Sequence, residues 1–297
     1  TNTSGLRSDS ATITTVPTAF LAAWDMSGLS DYGDSPQAAT EANDDVTAGG
    51  LTRGAGLSGG TSAERGWGAT GWALTEADAT NGGKFATFTI KGDTDRNVSF
   101  ISISTFDYRL DSANGPTSGK LQYALDGTTF TEITTVSYSV DTAGTSLAPI
   151  DLSGIPALQN VPDSVTVTFR MVNYGASSAS EPWYIYDKGN SSDHDFEVRG
   201  TICVSPASYA LSGGGTFCSD TFTDTQLALA DSEVGVSYQL YTNSGANAVG
   251  SPVAGTGNAI SFGFHSAPDA YTVVGTRTAG GCSEVVGSAT ITVLATP

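Results

Sequence analysis

Short segments in which apolar and polar residues alternate recur along this chain, and this period of two constrains the fold more than any other feature. In residues 86–90 and 165–171 every second residue is apolar. Successive side chains of a β-strand point to opposite faces of the sheet, so such segments predict half-buried strands. No segment shows the pattern of a helix of ordinary length. The sequence therefore predicts an all-β protein.

The order of these segments predicts a sandwich in the first two hundred residues. An Asp126-Gly127 pair predicts a hairpin over residues 121–133, because glycine tolerates the positive φ of a tight turn. Residues 30–69 are rich in Gly, Asp and Ala and predict a long loop of the kind that carries function or metal. About eight to ten strands without crossover helices predict a jelly roll. The other predicted strands are residues 20–26, 98–106, 183–186 and 196–198.

The cysteines divide the chain. Cys203, Cys218 and Cys282 all follow Thr201, and the preceding residues contain none. The segment after Thr201 has some seven candidate strands separated by turns, which predicts an immunoglobulin-like sandwich. The predicted organisation is an N-terminal tail or edge strand over residues 1–17, a jelly-roll-like β-sandwich over 18–201, and an immunoglobulin-like domain over 202–297.

The composition of the chain indicates which partners and which cellular compartment are favoured. The chain has 30 acidic residues against 12 Lys plus Arg, a net charge of -18, which disfavours nucleic acid as a partner. No apolar run is long enough for a membrane-spanning helix. Cysteines without a Cys-x-x-Cys motif or a Cys/His cluster fit an oxidising exterior better than a cytosolic redox or zinc site. We therefore expect a secreted protein with a removed signal peptide, or an excised fragment of a longer one.

Several motifs in the C-terminal part resemble a known class of module. They run from Tyr209-Ala-Leu-Ser-Gly-Gly-Gly-Thr-Phe-Cys218 through Gly235–Tyr241, Gly255–Gly263 and Tyr271–Val274 to Gly281-Cys282. Over roughly residues 203 to 295 the chain is similar to the immunoglobulin-like modules repeated in large secreted or surface proteins of Bacteroidetes-type bacteria. The resemblance implies spacing, display or adhesion, and a Cys218–Cys282 disulfide that leaves Cys203 unpaired. Spacing alone leaves a Cys203–Cys218 pair open.

The N-terminal part resembles β-sandwich modules of bacterial exoproteins more loosely. This resemblance implies the fold and an exterior location, and it brings no defined activity. It lies in three stretches, Ala23–Leu29, Leu121–Phe130 and Asp195–Gly200.

Catalytic chemistry has few candidates. His194 and His265 are the only histidines and lie in different predicted domains, which disfavours a Ser/His/Asp triad or a multi-histidine metal site. We interpret both as surface residues and expect the protein not to be an enzyme. A glycosidase with paired carboxylates remains open, with candidates Glu181, Asp187, Asp193, Asp195 and Glu197.

Calcium is a more plausible cofactor, because acidic loops of β-sandwiches supply its oxygen ligands at flexible spacing. The first and last strands of a jelly roll are often neighbours, so acidic residues beside them are expected to meet. The first predicted site is therefore Asp25, Asp193, Asp195 and Glu197. A second candidate lies in the long loop, at Asp31, Asp34, Asp44 and Asp45.

Exposed aromatic rings predict glycan binding, since sugar rings stack on them while nearby polar groups orient the hydroxyls. Trp67 and Trp72, which glycines surround, are the first candidates, and Trp183 with Tyr184 or Tyr186 follows. The alternative is that these rings fill the core.

The sequence thus predicts a non-catalytic, secreted or cell-surface protein: a glycan-binding or adhesion domain that recognises a polysaccharide or other surface ligand, followed by an immunoglobulin-like spacer. One alternative is a subunit of an extracellular filament or matrix, in which the Thr-rich N-terminal strand adds to a neighbour's sheet. Another is an accessory fragment of a larger secreted enzyme.

Overall fold

The computed structural model describes residues 19–60, 63–243, 245–278 and 281–295. The predicted N-terminal tail or edge strand, residues 1–17, lies outside these ranges. The chain forms two compact units, Thr18–Ser205 and Pro206–Pro297. Each is built from β-sheets, which confirms the all-β prediction. In the described part of the chain, no helix is both long and apolar enough to cross a membrane.

The described residues of the first unit form two sheets, one short α-helix, α1 (Glu76–Asn81), and one turn of 3-10 helix at Pro156–Leu158. One sheet has the order β2-β1-β13-β6-β12-β4, with β9 and β10 also paired to β6, and the other has the order β3-β5-β11-β7-β8. The strands are β1 (Ala19–Trp24), β2 (Glu41–Ala42), β3 (Val46–Arg53), β4 (Gly66–Ala69), β5 (Ala86–Gly92), β6 (Arg96–Leu110), β7 (Ser118–Ala124), β8 (Thr131–Ser137), β9 (Asp141–Ser146), β10 (Ile150–Asp151), β11 (Val167–Tyr174), β12 (Trp183–Tyr186) and β13 (Phe196–Val204).

Aromatic rings from the two sheets meet in one core. Phe88 of β5 stacks on Phe169 of β11 at 5.0 Å between ring centroids, and Trp24 of β1 meets Phe88 edge-on at 5.5 Å. Phe196 of β13 packs against Phe88 at 5.3 Å. Offset and edge-to-face pairs of this kind add to the free energy gained from apolar burial. The alternating pattern of the sequence therefore marks the inward faces of a sandwich.

The predicted hairpin is confirmed, although its turn is wider than two residues. β7 and β8 pair antiparallel, with Ser118 opposite Ser137. In the connecting loop the Asp126 carboxylate accepts hydrogen bonds from the backbone N–H groups of Thr128 and Thr129, and Gly127 has a φ of 73°. The Asp-Gly pair thus reverses the chain through side-chain hydrogen bonds to the backbone.

The long loop predicted over residues 30–69 contains strands that the periodicity did not reveal. β3 carries Gly49 and Gly50 at its centre, where the register with β5 shifts. One of the two glycines of β4, Gly68, lies where a Cβ would collide with the backbone carbonyl of Trp183 on β12. Glycines of this kind allow close backbone approach but remove the side chains that would show alternation.

The second unit also contains two sheets, with orders β14-β16-β19 and β15-β21-β20-β17-β18. Its core includes Tyr238, Leu229 and Val273, each fully buried. The last strand of the first unit runs to Val204, three residues beyond the boundary predicted at Thr201. The strands are β14 (Leu211–Ser212), β15 (Gly215–Cys218), β16 (Thr225–Leu229), β17 (Val236–Thr242), β18 (Asn247–Ala254), β19 (Ile260–His265), β20 (Asp269–Arg277) and β21 (Ser283–Leu294).

The predicted Cys218–Cys282 disulfide is wrong. Cys203 and Cys282 are disulfide-bonded, and Cys218 is a free, exposed thiol. Cys218 lies opposite Leu294 at the end of β21, whereas Cys282 directly precedes the start of β21 at Ser283. At about 3.3 Å per residue the two cysteines are roughly 36 Å apart, far beyond the approximately 4.4–6.8 Å between the Cα atoms of a disulfide.

Candidate functional site

The three tryptophans predicted to bind a glycan lie in the core instead. Trp67, Trp72 and Trp183 are 1%, 2% and 0% exposed. The indole N–H groups of Trp67 and Trp72 donate to the backbone carbonyls of Asp34 and Ala69, each at 2.7 Å. Trp72 also meets Trp183 edge-on at 5.9 Å. None of these rings offers a face to a sugar, because each is used to close the sandwich.

The two tyrosines of β12 lie on the opposite side of that strand. Trp183 and Ile185 belong to the main core, whereas Tyr184 and Tyr186 form a separate cluster with Tyr32 and Ala63. Alternate residues of a strand face opposite sides of the sheet, so this cluster covers the outer side of β12. Tyr184 and Tyr186 are 6% and 4% exposed, so their rings form the floor of the cluster rather than a free stacking face.

Two arginines cover these rings. The Arg65 and Arg109 guanidinium groups lie 5.3 and 5.1 Å from the centre of the Tyr186 ring. Arg65 donates to the Tyr186 hydroxyl at 2.7 Å, and the Tyr184 hydroxyl donates to that of Tyr32 at 3.4 Å. We call this set, Tyr32, Tyr184, Tyr186, Arg65 and Arg109, the tyrosine–arginine face.

The charges of the arginines are balanced by carboxylates. Arg109 Nε donates to Asp111 Oδ1 at 2.6 Å, and Arg65 Nη1 lies 3.7 Å from the buried Asp187 Oδ2. Burial alone would lower the pKa of Arg109, but the hydrogen bond and charge of Asp111 outweigh it and raise that pKa. The side chains of Arg65, Arg109 and Asp111 keep 32%, 30% and 28% of their surface exposed. Donors and an acceptor are thus fixed side by side at the surface.

The sequence missed the arginines of this face. Arg65 directly precedes β4 and has a φ of 56°, and Arg109 lies near the end of the long strand β6. The sequence feature that could have pointed to them is the small number of basic residues, since only 12 residues of the chain are Lys or Arg. Scarcity does not show which of them share a surface, because that depends on the pairing of β6, β12 and β4.

The first predicted calcium site is not assembled as a ligand set. As expected, the first and last strands of the unit pair. The Asp25 carboxylate accepts from Ser27 N, and that of Asp193 accepts from the Ser191 hydroxyl. Asp195 accepts from Met26 N at 2.8 Å, and Glu197 pairs with Arg199 at 2.5 Å. The four side chains therefore have separate partners, because each one satisfies a local turn, strand or ion pair.

The residues of the second predicted calcium site also have separate partners and do not form a ligand set. Asp45 pairs with Arg96 at 2.7 Å, and the backbone N–H of Asp34 donates to the side chain of Gln37. Asp31 has a φ of 53° and its backbone N–H donates to Ala63 O. Across residues 19–60, 63–243, 245–278 and 281–295, no three or more His, Cys, Asp or Glu residues are arranged to hold a metal ion. Asp44 belongs to the same loop as Asp45.

A different group of acidic residues lies buried at one end of the larger sheet. Asp107, Asp187 and Asp195 are 6%, 0% and 4% exposed. Burial raises the pKa of Asp195 to about 7, and the nearby charges of Asp187, Asp107 and Asp25 add to the effect. Asp107 is partly compensated by Lys188 at 3.3 Å. Burial and the neighbouring carboxylates therefore both favour the protonated form of Asp195.

The two histidines contact neighbours of different kinds. His194 Nδ1 lies 3.4 Å from Glu197, and its Nε2 lies 3.6 Å from Glu41. His194 therefore lies between two carboxylates. His265 Nε2 lies 3.1 Å from the backbone carbonyl of Phe262. Of the carboxylates considered for a glycosidase, Asp187 and Asp195 belong to the buried acidic group, Asp193 and Glu197 have the partners given above, and Glu181 lies just before β12.

Comparison with known proteins identifies no family. No protein-family model and no curated protein matches the chain. The adhesin domain of Epf from Streptococcus pyogenes aligns at 10% identity over 95% of this chain and 99% of that domain, with a TM-score of 0.22. A β-1,2-glucanase from Parabacteroides distasonis aligns at 12% identity over 91% of this chain and 39% of the enzyme, with a TM-score of 0.24. Neither superposition is close enough to carry an argument about this protein.

Proposed function

We propose that this chain is a non-catalytic, secreted or cell-surface protein that binds a glycan at the tyrosine–arginine face of its first unit and uses its second unit as a spacer. The observation that supports the proposal most is the arrangement of Arg65 and Arg109 over the Tyr186 ring, with Asp111 bonded to Arg109. Ligand sites typically combine an apolar lining with a few fixed polar groups. The tyrosine rings fix the guanidinium groups, whose exposed edges then meet the ligand.

The charge balance of the face favours hydroxyl groups over phosphate as its ligand. Arg109 is paired with Asp111, and Arg65 lies beside Asp187. An added anion would compete with these carboxylates, whereas a sugar hydroxyl both donates to a carboxylate and accepts from a guanidinium. A chain with a net charge of -18 would also repel a polyanion. A neutral polysaccharide fits the face best.

The exterior location is supported by the chemistry of the cysteines. Cys203 and Cys282 are disulfide-bonded, and disulfides persist mainly in oxidising compartments. The resemblance of the second unit to display modules of surface proteins supports the same location and a spacing role.

A screen of the whole chain on a polysaccharide array tests the proposal, with Arg109→Gln as the site variant. Gln keeps a polar side chain but loses the guanidinium fork, so we expect affinity to fall at least about tenfold, or about 1.4 kcal/mol. Arg199→Gln is the matched control, because Arg199 lies in the same sheet, pairs with Glu197 and is 42% exposed. Failure of the wild-type chain to bind any polysaccharide would refute the function.

The same array assigns the site and tests the calcium prediction. Equal binding by the wild type and Arg109→Gln would place the glycan elsewhere on the chain. Repeating the screen with a chelator tests whether a structural calcium ion supports binding. Unchanged affinity in the chelator would count against calcium.

A further inference from the structure

One strand of the first unit has an open edge. β8 is the last strand of its sheet and pairs with β7 on one side, and no strand of the described residues pairs with its other side. Natural proteins usually protect such edges with lysine, proline or a covering loop. The β8 sequence, Thr-Glu-Ile-Thr-Thr-Val-Ser, has one charged residue and no proline. As far as the described residues extend, this edge is available for backbone hydrogen bonds.

An apolar groove runs beside the open edge. Residues of β8 form one wall, and the segment 147–151, which includes β10, forms the other. The groove has a volume of about 500 Å³. Ile133 and Val136 on one wall and Leu147 on the other are partly buried against the core. A strand added beside β8 would therefore place every second side chain over an apolar surface.

We propose that this edge and groove accept residues Ala11–Val16 of a second copy of the chain as an added β-strand. The segment reads Ala-Thr-Ile-Thr-Thr-Val and is followed by Pro17. Its β-branched residues favour an extended strand, and the proline ends it. Six residues span about 20 Å at roughly 3.3 Å each, close to the length of the seven-residue β8. Ile13 is the large apolar side chain at the middle of the segment and supplies the anchor in the groove.

Chain geometry shows why the strand must come from another molecule. β1, which begins at Ala19, pairs with β13, β13 pairs with β6, and β6 pairs with β10 on its other side. At about 4.8 Å per strand the groove beyond β10 lies roughly 19 Å from β1. Only two residues separate Val16 from Ala19, and three Cα steps reach at most about 11 Å. The segment therefore cannot enter the groove of its own chain.

Such a contact joins different surfaces of two copies. The N-terminal segment of one molecule meets the edge of the next, so the contact is head-to-tail and adds molecules in series. This association is independent of the proposed glycan site, because that site uses β12 and its neighbours. It supports the filament or matrix role as a second property of the chain.

Sedimentation velocity of the full chain over a wide range of concentration tests the proposal. We expect oligomers that grow with concentration and that dissociate when a synthetic peptide of residues 10–18 is added in excess. Ile13→Asp in the full chain removes the anchor, and Val136→Lys places a charge in the groove. Each should weaken association at least about tenfold.

Val140→Lys is the matched control, since Val140 is 50% exposed and lies outside the groove. Tryptophan fluorescence confirms that each variant is folded. A wild-type chain that stays monomeric at every concentration would overturn the proposal. Association that survives both Ile13→Asp and excess peptide would overturn it as well.

Discussion

The charge state of Asp195 makes a specific prediction about the pH dependence of stability. The pKa of this carboxyl is raised from 3.8 to about 7 in the folded chain. Between these values the folded state binds a proton that the unfolded state has lost, so the free energy of unfolding falls as pH rises from about 4 to about 7. Three pKa units correspond to about 4 kcal/mol, and relaxation of the protein and water penetration around the buried charge reduce the effect to about 2 kcal/mol.

Asp195→Asn removes the charge and keeps an oxygen that accepts from Met26 N. We expect the variant to lose this pH dependence and to be about 2 kcal/mol more stable than the wild type at pH 8. Urea denaturation followed by tryptophan fluorescence measures the first unit alone, because all four tryptophans lie within it. Asp193→Asn is the control, since that carboxylate is exposed and bonded to Ser191.

Two outcomes would contradict this reasoning. The first is an identical fall in stability with pH in the wild type and in Asp195→Asn. The second is a variant less stable than the wild type at pH 8, which would mean that the ionised carboxylate is needed in the fold.

Three further predictions concern packing and the thiol. Gly68→Ala should destabilise the first unit by about 2 kcal/mol, because the added Cβ would collide with the backbone of β12. Gly154→Ala is the control and should not destabilise it, because there is open space around Gly154. Equal urea midpoints for the two variants would contradict the close approach of β4 to β12. Phe169→Ala should cost about 3–5 kcal/mol by removing a ring stacked between the sheets, and a smaller loss in the same assay would place that ring outside the core. Cys218→Ser should leave stability unchanged, and a thiol reagent should label one cysteine per unreduced chain; mass spectrometry that finds another labelled cysteine would contradict the disulfide state.

Alternation in the sequence predicts which side chains of a strand are buried where one face of the strand is apolar and the other is polar. β5 shows this clearly, since Ala86, Phe88 and Ile90 are buried and the residues between them are less so. β12 was also predicted as a strand, but its sequence Trp-Tyr-Ile-Tyr is aromatic or apolar on both faces. Periodicity therefore could not decide which rings fill the core and which lie under the arginines. Only the pairing of β12 with β4 and β6 decided it.

The spacing of residues along the sequence could not predict which distant residues come into contact. The calcium prediction correctly brought the first and last strands together, but it did not find Asp107, which β6 contributes to the buried acidic group. The cysteine pairing was wrong because it rested on resemblance, while the register of β15 on β21 separates Cys218 from Cys282 along a twelve-residue strand.

The sequence by itself determined the all-β class, the placement of many strands and the acidic character that disfavours nucleic acid, because these depend on local periodicity and on composition. The tertiary structure decided that the tryptophans are core residues, that Arg65 and Arg109 cover Tyr186, and that β8 has only one partner strand among the described residues. These features depend on which strands become neighbours. Strand neighbours are set by packing over the whole unit, and no short segment of the chain contains that information.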